Sequence, residues 1–135
     1  MTTQIFVNLA VRDLNQSVEF FSALGFKFDP QFTDEKATCM IVGNDSFVML
    51  LLESFFKTFT NKELCDARRS TEVLVCLSCE SRDKVDQMVK HAVAAGATTP
   101  MPSQNQGFMY QHGFQDLDGH LWELIYMERV SAKED

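Results

Sequence analysis

Apolar residues recur at helical spacing in two places along the chain. Val85, Met88, Val89, Ala92 and Val93 fall at i, i+3, i+4, i+7 and i+8, which predicts an amphipathic helix over Arg82–Ala95. Ser81 stands at its N-cap, and Gly96 sits where a left-handed C-terminal residue belongs. Leu14, Val18, Phe21 and Leu24 form a second stripe, capped by Asp13 and closed by Gly25. The two helices align: Leu14 with Val85, Val18 with Val89, Phe21 with Ala92, Gly25 with Gly96.

A β-rich segment precedes each helix, Ile5–Val11 and Val73–Cys79, and three more follow each. These are Phe26–Phe32, Ala37–Gly43 and Phe47–Glu53, then Ala97–Met101, Phe108–Gln115 and His120–Met127. Turn residues separate the last pair in both halves, at 43–46 and at 116–119. The expected fold is α+β, one domain over 1–135 built as two βαβββ modules. Module one spans about 4–53, a linker 54–70 and module two about 71–128. Phe55, Phe56 and Phe59 in the linker lie beside Lys57, Lys62, Arg68 and Arg69. They suit a lid over a cleft, a dimer seam or plain core filling.

Alternation assigns facing. Val7, Leu9 and Val11 form an apolar face to lie under the first helix, leaving Phe6, Asn8 and Ala10 on the other. Val73, Val75, Leu77 and Cys79 oppose Glu72, Leu74, Cys76 and Ser78; Trp122, Leu124 and Tyr126 oppose Leu121, Glu123, Ile125 and Met127. Asn8, Glu72 and Glu123 among apolar neighbours fit either a curved sheet around a ligand cavity or a solvated or subunit-facing surface.

Composition narrows the partners. Of 135 residues, 12 are Lys or Arg and 19 Asp or Glu, a net charge of −7 that argues against nucleic acid. The longest strongly apolar run, Phe47–Leu52, is too short for a membrane span, and Met1-Thr-Thr-Gln lacks the features of a secretory leader. A cytoplasmic protein is expected. Cys76 and Cys79 match C-x-x-C, but on a strand they face opposite sides, and no second pair completes a zinc site. The four cysteines are expected to be buried or half-buried free thiols. No phosphate-binding glycine loop or G-x-S-x-G is present.

Phe6-Val-Asn-Leu-Ala-Val-Arg-Asp-Leu14, followed by Ser17-Val-Glu-Phe-Phe-Ser-Ala-Leu-Gly-Phe26, resembles the opening of the vicinal oxygen chelate superfamily. That superfamily includes glyoxalase I, bleomycin-resistance proteins and extradiol dioxygenases. Phe114-Gln-Asp-Leu-Asp-Gly-His-Leu-Trp-Glu-Leu124 resembles its closing D-P-D-G-N-x-W-E-L signature, with Leu117 and His120 in place of Pro and Asn. The resemblance implies a cupped, partly open barrel of the glyoxalase/bleomycin-resistance type, and a homodimer. It also implies metal-ligand positions on the first and last strands of each module. Here those positions are Phe6, Met49, Glu123 and either Leu74 or, in a frame shifted by two, Glu72.

A phenyl ring and an alkyl chain cannot ligate, and a thioether is a poor donor to the superfamily's divalent ions. The expected activity is therefore small-molecule binding without a cofactor, with Phe6, Asn8, Met49, Glu72, Leu74, His112 and Glu123 as candidate ligand-binding residues. Glu123 is the expected anchor for a neutral or cationic ligand. Two rivals stand beside this reading. One is a metal-dependent lyase or dioxygenase using Glu123 and Glu72 with a third donor such as His112. The other is a protein-interaction module whose cup is filled by its own side chains. His91 is expected to be solvated and His120 to be a turn residue. The set Phe6, Phe20, Phe21, Phe26 and Phe28 is expected mostly in the core.

Overall fold

In the computed structural model, which describes residues 2–128, the chain divides into two units between Asp66 and Ala67. Each packs one long helix on one four-stranded mixed sheet, and the first also carries a four-residue helix.

In the first unit, β1 (Ile5–Val11) leads into α1 (Leu14–Ala23), followed by β2 (Lys27–Asp29), β3 (Ala37–Gly43) and β4 (Ser46–Leu52). Asp13 starts α1 because its extended backbone lets its carboxylate accept the Gln16 N–H at 3.0 Å. Gly25, with φ of 103°, ends the helix. The sheet order is β1-β4-β3-β2, with β1 parallel to β4 and the rest antiparallel. Leu9, Val11, Phe20, Phe21, Met40, Val48 and Leu50 form its core. The α1 stripe is rotated slightly from expectation: Ser17 and Phe20 are buried, and Val18 is half-buried.

The second unit repeats the order with β5 (Leu74–Ser78), α3 (Arg82–Ala94), β6 (Gln104–Asn105), β7 (Met109–Gln115) and β8 (Leu121–Met127). Its sheet runs β5-β8-β7-β6, again with the first pair parallel. Val85, Val89 and Ala92 of α3 are buried with Phe114, Trp122 and Leu124, whereas Val93 lies outside the stripe at 47% exposure.

Several expectations need correction. The strand expected over Phe26–Phe32 stops at Asp29, where Pro30 has no N–H for the ladder and opens a 3-10 turn. Ala97–Met101 contributes only a single bridge, Thr98 to Gln115, because Pro100 and Pro102 interrupt it; the edge strand forms at Gln104–Asn105 instead. Glu53 does not end β4 but begins the short helix α2 (Glu53–Phe56), and a 3-10 turn over Lys57–Phe59 continues it into the linker. All four cysteines are free, but Cys65 and Cys76 are exposed rather than buried. Phe20 and Phe21 are core residues, whereas Phe6 is 44% exposed.

Candidate functional site

Each sheet packs its helix on one face and leaves the other open. On the open face of the first unit, strand pairing sets Phe6 beside Phe47 and Asn8 beside Met49. The Phe6 and Phe47 rings stack at 4.8 Å with an interplanar angle of 15°. Asn8 donates to the Phe6 carbonyl at 3.2 Å, a local bond made by an exposed side chain.

On the open face of the second unit, three rows run across the sheet: Leu74–Leu121–Gln115, Cys76–Glu123–Gly113 and Ser78–Ile125–Gln111. The half-buried Glu123 accepts a hydrogen bond from the Gln111 amide at 3.3 Å. Its carboxylate lies over Gly113, where a Cβ would come within 3.2 Å of Oε2 and would collide with the Trp122 carbonyl. A bare backbone at 113 is what lets the acid lie across β7. Although Cys76 is exposed overall, partial desolvation of its sulfur, and then the Glu123 charge, pushes the thiol above its ordinary range. Sequence reading missed Gln111 and Gly113, although alternation along β7 places both on the open face.

The turn that delivers Glu123 is built by Asp116. Its Oδ1 accepts the backbone N–H of Asp118 and of His120, each at 2.9 Å, and its Oδ2 accepts Trp122 Nε1–H at 2.9 Å. These donors are two backbone groups and an indole. Gly119 takes φ of 98°, a left-handed conformation that a side chain would strain. Burial raises the Asp116 carboxyl above its ordinary range, against the opposing pull of His120 and the three donors.

The remaining candidates separate. His112 pairs with Leu124, which is fully buried, so it lies on the helix face, opposite Glu123. Glu72 precedes β5, is exposed and takes no part in the ladder; the residue beside Glu123 is Cys76. His91 is exposed, and the His120 N–H belongs to the turn. Equivalent rows in the two units match Phe6 with Leu74, since these pair with Phe47 and Leu121. They likewise match Met49 with Glu123.

At the positions where the resemblance implies metal ligands, the first unit carries Phe6 and Met49 and the second Leu74 and Glu123, so neither unit supplies more than one hard donor, which does not fit a divalent ion. Among the described residues, no three His, Cys, Asp or Glu side chains are grouped so that they could hold a metal ion. Farther along the same face, at the ends of β5 and β8, a cleft of about 490 Å³ is lined by Ser78, Cys79, Glu80, Ile125 and Met127. No helix among the described residues is long and apolar enough to cross a membrane.

Comparison with known proteins gives a consistent picture. Residues 3–43 match the family described as bleomycin resistance protein-like N-terminal. No curated protein sequence matches the chain. Among solved structures, a hypothetical protein from S. aureus is 29% identical, with a TM-score of 0.79 over 93% of this chain and 95% of that one. A glyoxalase/bleomycin resistance protein/dioxygenase family enzyme from Burkholderia phytofirmans PsJN is 16% identical, at 0.76 over 93% and 99%. The fosfomycin resistance protein FosX from Mesorhizobium loti is 13% identical, at 0.68 over 97% and 96%. The paired βαβββ topology, the matching N-terminal segment and these structural neighbours together give the chain the fold of the vicinal oxygen chelate superfamily, as its two signatures led one to expect.

Proposed function

We propose that this chain is a small-molecule binding protein of the glyoxalase/bleomycin-resistance type that works without a catalytic metal. The observation that carries this reading is the solitary position of Glu123. Strand pairing sets a thiol and a glycine on either side of it, and the equivalent residue of the first unit is Met49. One carboxylate with a Gln111 partner is an anchor for a ligand's donor group, not a chelating set. A metal-dependent lyase or dioxygenase would draw on Glu72 and His112. Neither shares a row with Glu123, and His112 lies on the opposite face. The fosfomycin resistance named for one structural neighbour stays with that protein, because 13% identity carries the fold alone.

The deciding measurement is metal content in protein purified without chelators, combined with melting curves in added zinc, nickel, manganese and iron(II). The expected result is far less than one ion per chain and no rise in melting temperature, since a ligand that binds only the folded state must raise it. One tightly held ion per chain, or a rise that Glu123→Gln abolishes, would overturn the metal-free reading.

A further inference from the structure

One stretch of the second unit is held by polar ties rather than by packing. Every residue from Thr98 to Phe108 is exposed. Pro100 and Pro102 lack the N–H that a ladder needs, and β6 contributes two residues, Gln104 opposite Gln111 and Asn105 opposite Tyr110. A segment with so little burial gains little from removing apolar surface from water, so its attachment depends on its hydrogen bonds. Directly paired residues share a face of the sheet. Gln104 therefore extends the open-face row Ser78–Ile125–Gln111 and forms its rim, beside the residue whose amide donates to Glu123. Asn105 falls on the helix face with Tyr110.

The ties on the helix face come from the first turn of α3. The half-buried Arg82 lies over the rings of Tyr110 and Tyr126, at 5.6 and 5.9 Å. From there one guanidinium nitrogen donates to Asn105 Oδ1 at 3.1 Å, and the other donates to the Gly107 carbonyl. Asn105 Oδ1 also accepts the Gly107 N–H at 3.1 Å, so a single planar fork fastens both sides of the turn. One helical turn further along α3, Asp86 accepts from the Tyr110 hydroxyl at 2.6 Å, and Ser103 hydrogen-bonds the same hydroxyl.

We infer that residues 99–107 form a movable strap at the rim of the second unit's open face, and that Arg82 is its latch. With the fork engaged, the strap lies along β7 and Gln104 lines the face. With the fork released, the strap swings out between two fixed points. One is the Thr98–Gln115 bridge, and the other is Phe108, whose carbonyl accepts the Glu128 N–H at 2.7 Å. That motion uncovers the outer edge of β7 at Gln111. Alternate residues of β6 thus join a latch on the helix side to a rim on the open side. The motion of the strap does not depend on metal content or on which ligand the face takes.

The test is amide hydrogen exchange by NMR on the full-length chain. The informative amides are those of Gln106, which donates to the Met109 carbonyl, and Gly107, which donates to Asn105. Arg82→Met is expected to speed their exchange about tenfold, the scale of one lost charge-assisted hydrogen bond, while the Trp122 and Leu124 amides of β8 keep their rates. Arg82→Lys keeps the charge but not the fork, and should speed exchange about threefold. Asn105→Ala, at an exposed position, removes the side-chain acceptor of Arg82 and should also speed exchange at Gln106 about threefold; it is the independent variant if Arg82→Met does not fold. Unchanged exchange at Gln106 and Gly107 in these variants would overturn the latch. Protection falling equally at Trp122 and Leu124 would show that 99–107 opens only with the whole unit, and would overturn the strap.

Discussion

At the scale of single residues, the site depends as much on a missing side chain as on a present one. Glu123 could be named from the W-E-L signature, but the glycine beneath its carboxylate could not, because cross-strand neighbours depend on register. Counting outward from the 116–119 turn pairs Gln115 with His120, one residue off from the observed register, which pairs Gln115 with Leu121, Gly113 with Glu123 and His112 with Leu124. That count sets His112 beside Glu123, and only the extra residue in the turn moves it to the helix face opposite Leu124. Gly113→Ala is expected to destabilise the protein by about 1–3 kcal/mol, because the added methyl meets backbone at the Trp122 carbonyl and cannot be absorbed by a rotamer change. Gly25→Ala is a useful contrast: it has free space for a Cβ, and its cost comes from positive φ alone. Denaturant titration would measure both, and only Gly113→Ala should also abolish the Gln111–Glu123 contact in side-chain amide spectra.

At the scale of elements, helices were legible because caps and period agree locally, whereas edge strands were not. Pro30, Pro100 and Pro102 removed ladder donors where composition alone suggested strands. The turn before β8 shows a different limit: D-x-D-G was readable as a turn, but not the reach of Asp116 to the Trp122 indole. That buried acid gives a pH signature with a definite sign. Its folded pKa is raised by burial, so the folded state holds the proton more tightly than the unfolded chain does. The stability from that protonation is present at low pH and is lost as pH rises from the ordinary value of 3.8 through the raised one. Asp116→Asn cannot titrate, and its amide also sets a donor against the donors that converge on the site. It should be less stable than the parent by about 1–3 kcal/mol in acid, with the gap narrowing as pH rises through that window. Paired denaturation curves across the acid range would check it; a gap that widens with pH would show that the carboxylate's hydrogen bonds outweigh its burial.

At the scale of the whole molecule, the duplicated order was legible because both modules repeat cap, stripe, glycine and turn in the same sequence. What could not be read was how far each module can stand alone. The second unit covers one sheet face with α3, burying Val85, Val89, Ala92, Phe114, Trp122 and Leu124. Its open face presents Leu74 at 58% and Met127 at 49% exposure even in the full chain. A unit as short as Ala67–Asp135 with a single helix-on-sheet core is near the size where burial barely offsets conformational entropy. The isolated segment 67–135 is therefore expected to lack a cooperative thermal transition. Trp122, the chain's single tryptophan, is 1% exposed in the full protein, so its emission reports this unit alone. A red-shifted spectrum from the fragment, beside a blue-shifted one from the full chain, is the expected result. A sharp melt with unshifted emission would instead show that the second module's own core suffices, and that the duplication joins two independently stable folds.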